Sequence, residues 1–421
     1  MIVVGGGILG LAVAEEASRR GIQVDVIAGA DYPAASRAAA AQLGLKGQSL
    51  SRSPLFALKM RGARSYAAWL ASWDDGAWQE YYRFGPGRDR VLNAAECDEQ
   101  MRRVSHHEND PRIGFVGPSL AHVLDRDVDT GAATICYFCE GAVDARVLLT
   151  RLEDVLRRRG VRFWSCDVNQ RDSLESVIDS IAQLRGRDTG LAAWVLAAGA
   201  WSLDVLRAWD GQAPEQLMPQ SVRYSWGASV VMAAEALRPL RPGVKPLDLE
   251  SFVVEGLIDR SNRQIAALTR HRVSLDGHAG DHVFLTSLSV ELSAAESGCL
   301  TESSARASDA GAMLRSTLSR EALFHEAWVR MRALVERHGL ETPEQVRLLT
   351  GLRARFCPGD LILAEIRCPS VLGNAVNRCR RNARARDTQP RVIFFAGANR
   401  SGFVYGPALA PEVVTRLEEA I

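Results

Sequence analysis

Three features of the sequence predict an α/β fold that carries a second, mostly antiparallel layer. The first 21 residues read as strand, glycine-rich turn and helix. That style returns over 141–200 and again near the C-terminal end. Between the returns, 216–345 alternates polar and apolar residues, as in YSWGASVVM, SFVVEG and HVFLTSLSVEL, the period-two pattern of antiparallel strands.

The opening unit carries the chemistry. Ile2-Val3-Val4 leads into Gly5-Gly6-Gly7-Ile8-Leu9-Gly10 and then the apolar-periodic LAVAEEASRRG. Here Gly5 permits the tight turn, Gly7 lets backbone approach a pyrophosphate and Gly10 lets the helix pack on the strand. The helix N-terminus, at Ile8, faces the anion. A second apolar strand, Val24 to Ile27, closes a βαβ unit and favours a dinucleotide site over a turn that merely needs small residues. The acid that ordinarily ends the second strand and binds the adenosine ribose is absent. Ala28 and Gly29 stand there, Asp25 lies inside the strand and Asp31 beyond it. Losing a charged acceptor costs about 1.5–3 kcal/mol, a ten- to hundredfold loss of affinity.

Further elements follow in order. Residues 36–48 are helix-prone and then broken by glycine; 55–73 read as a helix with Leu58, Ala63, Tyr66, Leu70 and Trp73 on one face. Residues 86–135 read as turn-rich with short strands. GAVDARVLLTRLEDVLRRRGVRFW reads as loop, amphipathic helix, Gly160 at the helix end, then strand. Residues 171–190 are polar. LAAWVLAAGAWS reads as a buried strand ending at Ala198-Gly199-Ala200, a helix falls near 321–339, and VIFFAGANRSGFVYGPALAPEVVTRLEEAI reads as strand, glycine-rich loop and final helix. The expected division is a discontinuous nucleotide domain over 1–85, 140–215 and 346–421, with a second domain over 86–139 and 216–345.

The bulk properties narrow the class. A chain of 421 residues suggests two or three domains. A net charge of +1 exerts no pull toward nucleic acid or anionic membranes. No apolar run approaches the roughly 20 residues that span a bilayer. The N-terminal apolar segment is the first strand, so no signal peptide is expected. Eight cysteines in a chain of this length suit reduced, cytoplasmic thiols. Abundant Arg and Ala with little Lys suggest a GC-rich, bacterial source.

Five motifs, in order, resemble the D-amino-acid oxidase-type flavoproteins, in particular the glycine oxidase and sarcosine oxidase branch. They are VVGGGILGL, SRAAAAQLG, GAVDARVLL, VLAAGAWS, and the pair GLRARFCPGD and FFAGANRSGFVYGPALA. The resemblance covers nearly the whole length. It implies a GR2-type Rossmann-like FAD-binding domain, a sheet-floored α+β substrate domain and non-covalent FAD. It further implies oxidation of an amine or amino-acid C–N bond: hydride passes to flavin N5, the imine hydrolyses, and oxygen or another acceptor reoxidises the flavin. Carried over by motif, Arg353 matches an arginine that holds a substrate carboxylate and Arg400 a second arginine found in some members; a guanidinium fork suits a carboxylate. Ser36 and Arg37 fall near the flavin phosphates, Ala198 and Gly199 at the strand end beneath the flavin. Gly397 and Gly402 would approach the flavin O2 and N1 edge, where backbone N–H groups stabilise negative charge.

Departures from the pattern mark a divergent member. Besides Ala28, Ala398 replaces a common His, Gln42 interrupts an AAAGM run, Pro358-Gly359-Asp360 replaces a Thr-x-Asp-Gly order and Gly406 replaces an Ala. Divergence is compatible with specialised biosynthesis and a bulky or carrier-linked substrate. Lys46 is a solvated lysine on this reading, with oxygen activation as the alternative.

Other signals carry less. Cys136 and Cys139 form a CxxC on an expected strand, which would point the thiols to opposite faces, so no zinc site is expected. Cys357 is out of register for covalent flavin. His271, His278 and His282 flank a polar loop, and no metal site is expected there. The arginines of 378–391 lack interleaved aromatics, so nucleic acid is not expected. Tyr224 and Trp226 suit either the substrate face or the core. A homo-oligomer or a partner subunit is compatible with the chain. Two readings compete with the oxidase: a flavoprotein-fold partner or maturation protein with weak or lost catalysis, motivated by Ala28, and a monooxygenase or NAD(P)-linked enzyme on a similar fold.

Overall fold

The computed structural model describes residues 1–29, 35–44, 53–109, 119–166, 171–185, 193–210, 221–240, 242, 244–259, 264–275, 278–291, 320–343, 346–357, 361–369, 372, 390–398 and 401–418. Among these, two sheets organise the molecule.

The first sheet holds β1 (Ile2–Val4), β2 (Asp25–Ala28), β6 (Arg162–Ser165), β7 (Ala193–Leu196), β13 (Ile362–Ile366) and β14 (Arg391–Ala396), in the order β13-β14-β7-β1-β2-β6. All its pairings are parallel except β13–β14. Parallel strands covered on both faces need continuous apolar runs, and Ile2, Val3 and Val4 are all buried. One face packs on α1 (Ile8–Arg19), α3 (Ser53–Ala71), α5 (Ala145–Arg158) and α9 (Gly402–Glu418), through Val3, Leu11, Tyr66, Leu152 and Val413. The opposite face, with Ile2, Trp194 and Phe394, shares one core with α6 (Arg171–Arg185), α7 (Ser202–Asp210), α8 (Arg320–Arg337) and the second sheet.

The second sheet runs β12-β8-β11-β10-β9-β3-β5-β4. Its strands are β3 (Tyr82–Val91), β4 (Ala121–Arg126), β5 (Ala133–Val143), β8 (Ser221–Ala233), β9 (Glu255–Asp259), β10 (Gln264–Leu275), β11 (His278–Glu291) and β12 (Arg347–Cys357). Every pairing is antiparallel except β3–β9. The alternation in 216–345 therefore builds the expected antiparallel layer.

One stretch joins the two sheets. Residues expected to extend a helix from 36 form a single turn, α2 (Ala35–Ala38), and then run alongside the second sheet. Ser229 donates its hydroxyl to Ala38 O at 2.7 Å, Leu43 N donates to Gly141 O at 2.7 Å and Val143 N to Ala41 O at 3.1 Å. Ala41 takes a φ of 44°, the left-handed region, alone among the described non-glycine residues.

Three local readings change. The expected turn-rich 86–135 contains a helix, α4 (Ala94–Glu108). Asn93 caps it by accepting from Glu96 N at 3.0 Å, while Glu96 accepts from Leu92 N, one residue before the cap, at 2.9 Å. The polar 171–190 contains α6, whose Leu174, Ile178 and Ile181 recur at helical spacing and are fully buried. Arg347–Cys357, grouped by its position in the sequence with the nucleotide segments, pairs with β8 along its whole length and so belongs to the second sheet. Among the described residues no helix is long and apolar enough to cross a membrane.

Candidate functional site

The site lies at the carboxyl edge of the first sheet, where ligands of open parallel sheets bind. A cavity of ≈ 520 Å³ is lined by residues at or just past the ends of β6 (Phe163–Ser165), β2 (Ile27, Ala28), β1 (Val4), β7 (Ala197–Trp201) and β14 (Gly397, Ala398). Five adjacent strands at about 4.8 Å spacing give a groove roughly 19 Å long, suited to an extended dinucleotide. Its other wall brings in α2, α5 and Leu352–Ala354 of β12.

The glycine turn has the geometry its spacing implies. Gly5 has φ +123°, and a Cβ there would overlap the Ala197 carbonyl. Gly5 N donates to Ile27 O at 2.8 Å and Ala197 N to Val4 O at 2.7 Å, so the turn is pinned between β2 and β7. A Cβ at Gly10 would overlap Gly5 O, which sets the distance between α1 and the turn. Gly10 shapes the cradle from behind and does not line the cavity. Gly7 precedes α1 and supplies no side-chain cap. Instead Ser36 Oγ accepts from Ile8 N at 3.2 Å, and a Cβ at Gly7 would stand 3.2 Å from that oxygen. Gly5, Gly7, Ile8 and Ser36 therefore meet at one helix N-terminus on the cavity wall.

Gly199 (φ +62°), Gly397 (φ +80°), Ala198 and Gly402 meet farther along. A Cβ on Gly402, the first residue of α9, would stand 3.4 Å from Ile8 Cγ2, so the starts of α1 and α9 converge there. Gly406 supports this approach, since a Cβ on it would stand 3.1 Å from Ile8 O. These cavity-lining glycines fit a cofactor that needs close backbone approach.

Arg353 comes from the second sheet. Its strand partner is Ser225, and its side chain crosses to the neighbouring Gly227, where a Cβ would overlap Cζ and Nε and stand 2.7 Å from Nη1. Gly227 thus leaves the bed in which the guanidinium lies at the cavity. Sequence reading missed Gly227, because its requirement arises from a cross-strand neighbour far away in the chain.

At the opposite end the wall consists of Ala28, Gly29, Arg37, Glu153, Arg157 and Phe163. Arg37 lines the cavity, with its guanidinium bonded to Glu153 at 2.6 Å. The Arg157 guanidinium lies 4.3 Å above the centre of the Phe163 ring. Asp25 does not replace the missing acid. It sits at the far end of β2, fully buried, where Arg162 (2.7 and 2.9 Å), Trp164 (2.8 Å) and Arg185 (2.7 Å) all donate to it. Burial pushes its carboxyl up, but the bonds from Arg162, Trp164 and Arg185 outweigh this and hold it below the ordinary range.

The remaining sequence signals separate. Tyr224 and Trp226 belong to the shared core, on the sheet face opposite Arg353. His271 and His282 are cross-strand partners, and burial lowers the His271 pKa. No cluster of metal-ligating side chains occurs among the described residues. Cys136 and Cys139 lie in β5, the strand expected there, and Cys136 is buried. Arg400, Lys46, Asp31, Pro358-Gly359-Asp360, residues 378–389, and the side chains of Cys139, His278 and Cys357 lie outside the described residues.

Comparison with known proteins shows relatives of the same fold. The chain resembles the iminodiacetate oxidase of Chelativorans sp. BNC1, at 15% identity over 100% of this chain and 98% of that one, with a TM-score of 0.61. It resembles the glycine oxidase of Geobacillus kaustophilus at 17% identity over 99% and 94%, also with a TM-score of 0.61. It resembles the L-proline dehydrogenase of P. horikoshii at 13% identity over 99% and 92%, with a TM-score of 0.56. At these identities the likeness establishes the fold. No curated protein sequence matches. The family profile of DAO, FAD dependent oxidoreductase, matches residues 1–416, and the chain therefore belongs to the DAO family of FAD-dependent oxidoreductases.

Proposed function

We propose that this oxidoreductase acts on the C–N bond of a small amine or amino acid that carries a carboxylate. The observation that carries the reading is Arg353, a guanidinium laid over Gly227 on the wall of the cofactor cavity. A planar fork pairs with a carboxylate through two parallel bonds, and a partly dry site strengthens them. Bound FAD supplies the two-electron oxidant for such a substrate. The chain's own work is positional. Gly5, Gly7, Ile8 and Ser36 form the pyrophosphate cradle, and Gly10 sets its depth. Ala198, Gly199, Gly397 and Gly402 bring backbone close to the reactive end of the cofactor. Arg353 then fixes the substrate carboxylate, so that the nitrogen-bearing carbon holds one position. Arg400 enters the proposal on its motif alone, as a second carboxylate anchor. The second sheet serves as the substrate floor. Iminodiacetate, glycine and proline, the compounds in the names of the structural relatives, all join an amine to a carboxylate, which supports this choice.

The test is the visible spectrum of the purified protein, followed by anaerobic addition of carboxylate-bearing amines and their decarboxylated counterparts. Stoichiometric flavin that bleaches only with the carboxylate-bearing set is the expected result. Equal bleaching by decarboxylated amines would remove the role given to Arg353, and no bleaching by any amine would overturn the reading.

A further inference from the structure

We propose that Glu153 binds the adenosine ribose of FAD, in the role that the residue ending β2 ordinarily fills and that Ala28 cannot. The inference concerns the cofactor and holds whichever amine is oxidised.

The second strand lacks an acid at its end. Ala28 sits below the glycine turn, its Cβ 3.1 Å from where a Cβ on Gly6 would stand, so the second strand ends where a ribose acid is ordinarily placed. It offers no acceptor for sugar hydroxyls. Asp25, the acid inside the same strand, is bound to Arg162, Trp164 and Arg185 three residues away and faces the other end of the sheet. An unanchored ribose would sit beside polar groups with nothing to accept its hydroxyl hydrogens.

A carboxylate nevertheless reaches this wall from another element. Glu153, midway along α5, lines the cavity together with Ala28, Gly29 and Ser36. The helix leads directly into β6, and β6 pairs with β2 so that Ser165 stands opposite Ala28. Residues four apart share a helix face, so Glu153 and Arg157 come to the cavity together, with Arg157 over Phe163. The Glu153 side chain is 25% exposed, and among the described residues its carboxylate has one hydrogen-bond donor, Arg37 Nη2, at 2.6 Å to Oε1. An ionised carboxylate has about four acceptor sites. Arg37 therefore fixes its orientation while leaving acceptor capacity for a pair of vicinal hydroxyls. Arg37 comes from α2, directly after Ser36, so the pyrophosphate cradle and the Glu153 carboxylate are connected through two adjacent residues. Arg37 is on this account a positioning residue.

The experiment measures Kd for FAD and for FMN, by flavin fluorescence, in the full-length protein and in Glu153→Gln, Ala28→Glu and the double variant. FMN lacks the adenosine half and reports on the rest of the site. Glu153→Gln keeps shape and removes charge; it is expected to raise the FAD Kd about ten- to hundredfold and leave the FMN Kd unchanged. Ala28→Glu is expected to add no affinity to the natural chain, whose ribose is already held, and to restore FAD binding in the Glu153→Gln background. An unchanged FAD Kd in Glu153→Gln would overturn the proposal. So would a parallel rise for FAD and FMN, which would make Glu153 a structural partner of Arg37 only. Tighter FAD binding by Ala28→Glu alone would mean that the ribose site lacks an acid in the natural chain, and would overturn it as well.

Discussion

The two ends of the cofactor cavity are built by different means. Around the glycine turn the wall is backbone: Gly5 against Ala197, Gly10 against Gly5, Gly7 against Ser36. At the Ala28 end it is side chains drawn from separate elements: Arg37 from α2, Glu153 and Arg157 from α5, Phe163 from β6. A backbone cradle depends on the absence of Cβ atoms, and any larger residue closes it. A side-chain wall can exchange one supplier for another. That difference explains how a chain can keep the glycine turn intact and yet carry Ala28. It also makes the side-chain end the place where members of one fold are expected to diverge.

The largest effect is expected at the far end of β2, away from the cavity. Asp25 joins β2, β6 and α6 through Arg162, Trp164 and Arg185. Asp25→Asn strands two guanidinium groups at a buried site and is expected to lower stability by roughly 3–5 kcal/mol, read from denaturant midpoints at constant slope. Because its folded pKa is depressed, the contribution is present above the ordinary carboxylate value of 3.8 and is lost as pH falls through the lower folded value. The natural chain should therefore lose stability on acidification below that point, and the variant should lose less.

The next largest effect is expected at Arg353. Arg353→Met is expected to lower kcat/KM for a carboxylate-bearing amine by about a hundredfold, near 2.7 kcal/mol, with flavin content unchanged. Arg353→Lys, which keeps charge but not the fork, should recover only part of the loss. A smaller effect follows at Gly227, where a Cβ displaces the mobile end of Arg353 and no backbone. Gly227→Ala should reduce kcat/KM about tenfold, mostly through KM, and change stability by less than about 1 kcal/mol. A large loss of stability with unaltered KM would show that Gly227 serves packing instead.

The smallest expected effect lies in the joining stretch. Ala41, at φ 44°, holds a conformation that disfavours a side chain. Ala41→Gly is expected to raise stability by ~0.5–1 kcal/mol. A decrease on thermal unfolding would show that packing of the Ala41 methyl outweighs the relieved strain.

What could be read from the sequence follows the same division. The first βαβ unit was legible because its strand, glycine turn and helix are contiguous in the chain, although Gly5 and Gly7 answer the distant Ala197 and Ser36. The helix of α5 was legible because its apolar face and Gly160 are local too, and Gly160 takes φ +83° just past its end. α4 was hidden by its charge, although Asn93 and Glu96 carried a capping signal. α6 was hidden likewise, although Leu174, Ile178 and Ile181 held helical spacing. The sheet membership of Arg353 and the Gly227 bed depend on pairing between residues more than a hundred positions apart, which single-sequence periodicity does not encode. The Arg37–Glu153 pair, likewise, exists only once α2 and α5 are brought together.

The most direct test of the central claim is anaerobic reduction of the bound flavin, followed by stopped-flow absorbance, in the natural chain and in Arg353→Met with the same carboxylate-bearing amine. The account predicts rapid, saturable bleaching in the natural chain and, at equal flavin content, a roughly hundredfold weaker reductive step in the variant. Bleaching of equal rate and saturation in both proteins would contradict it.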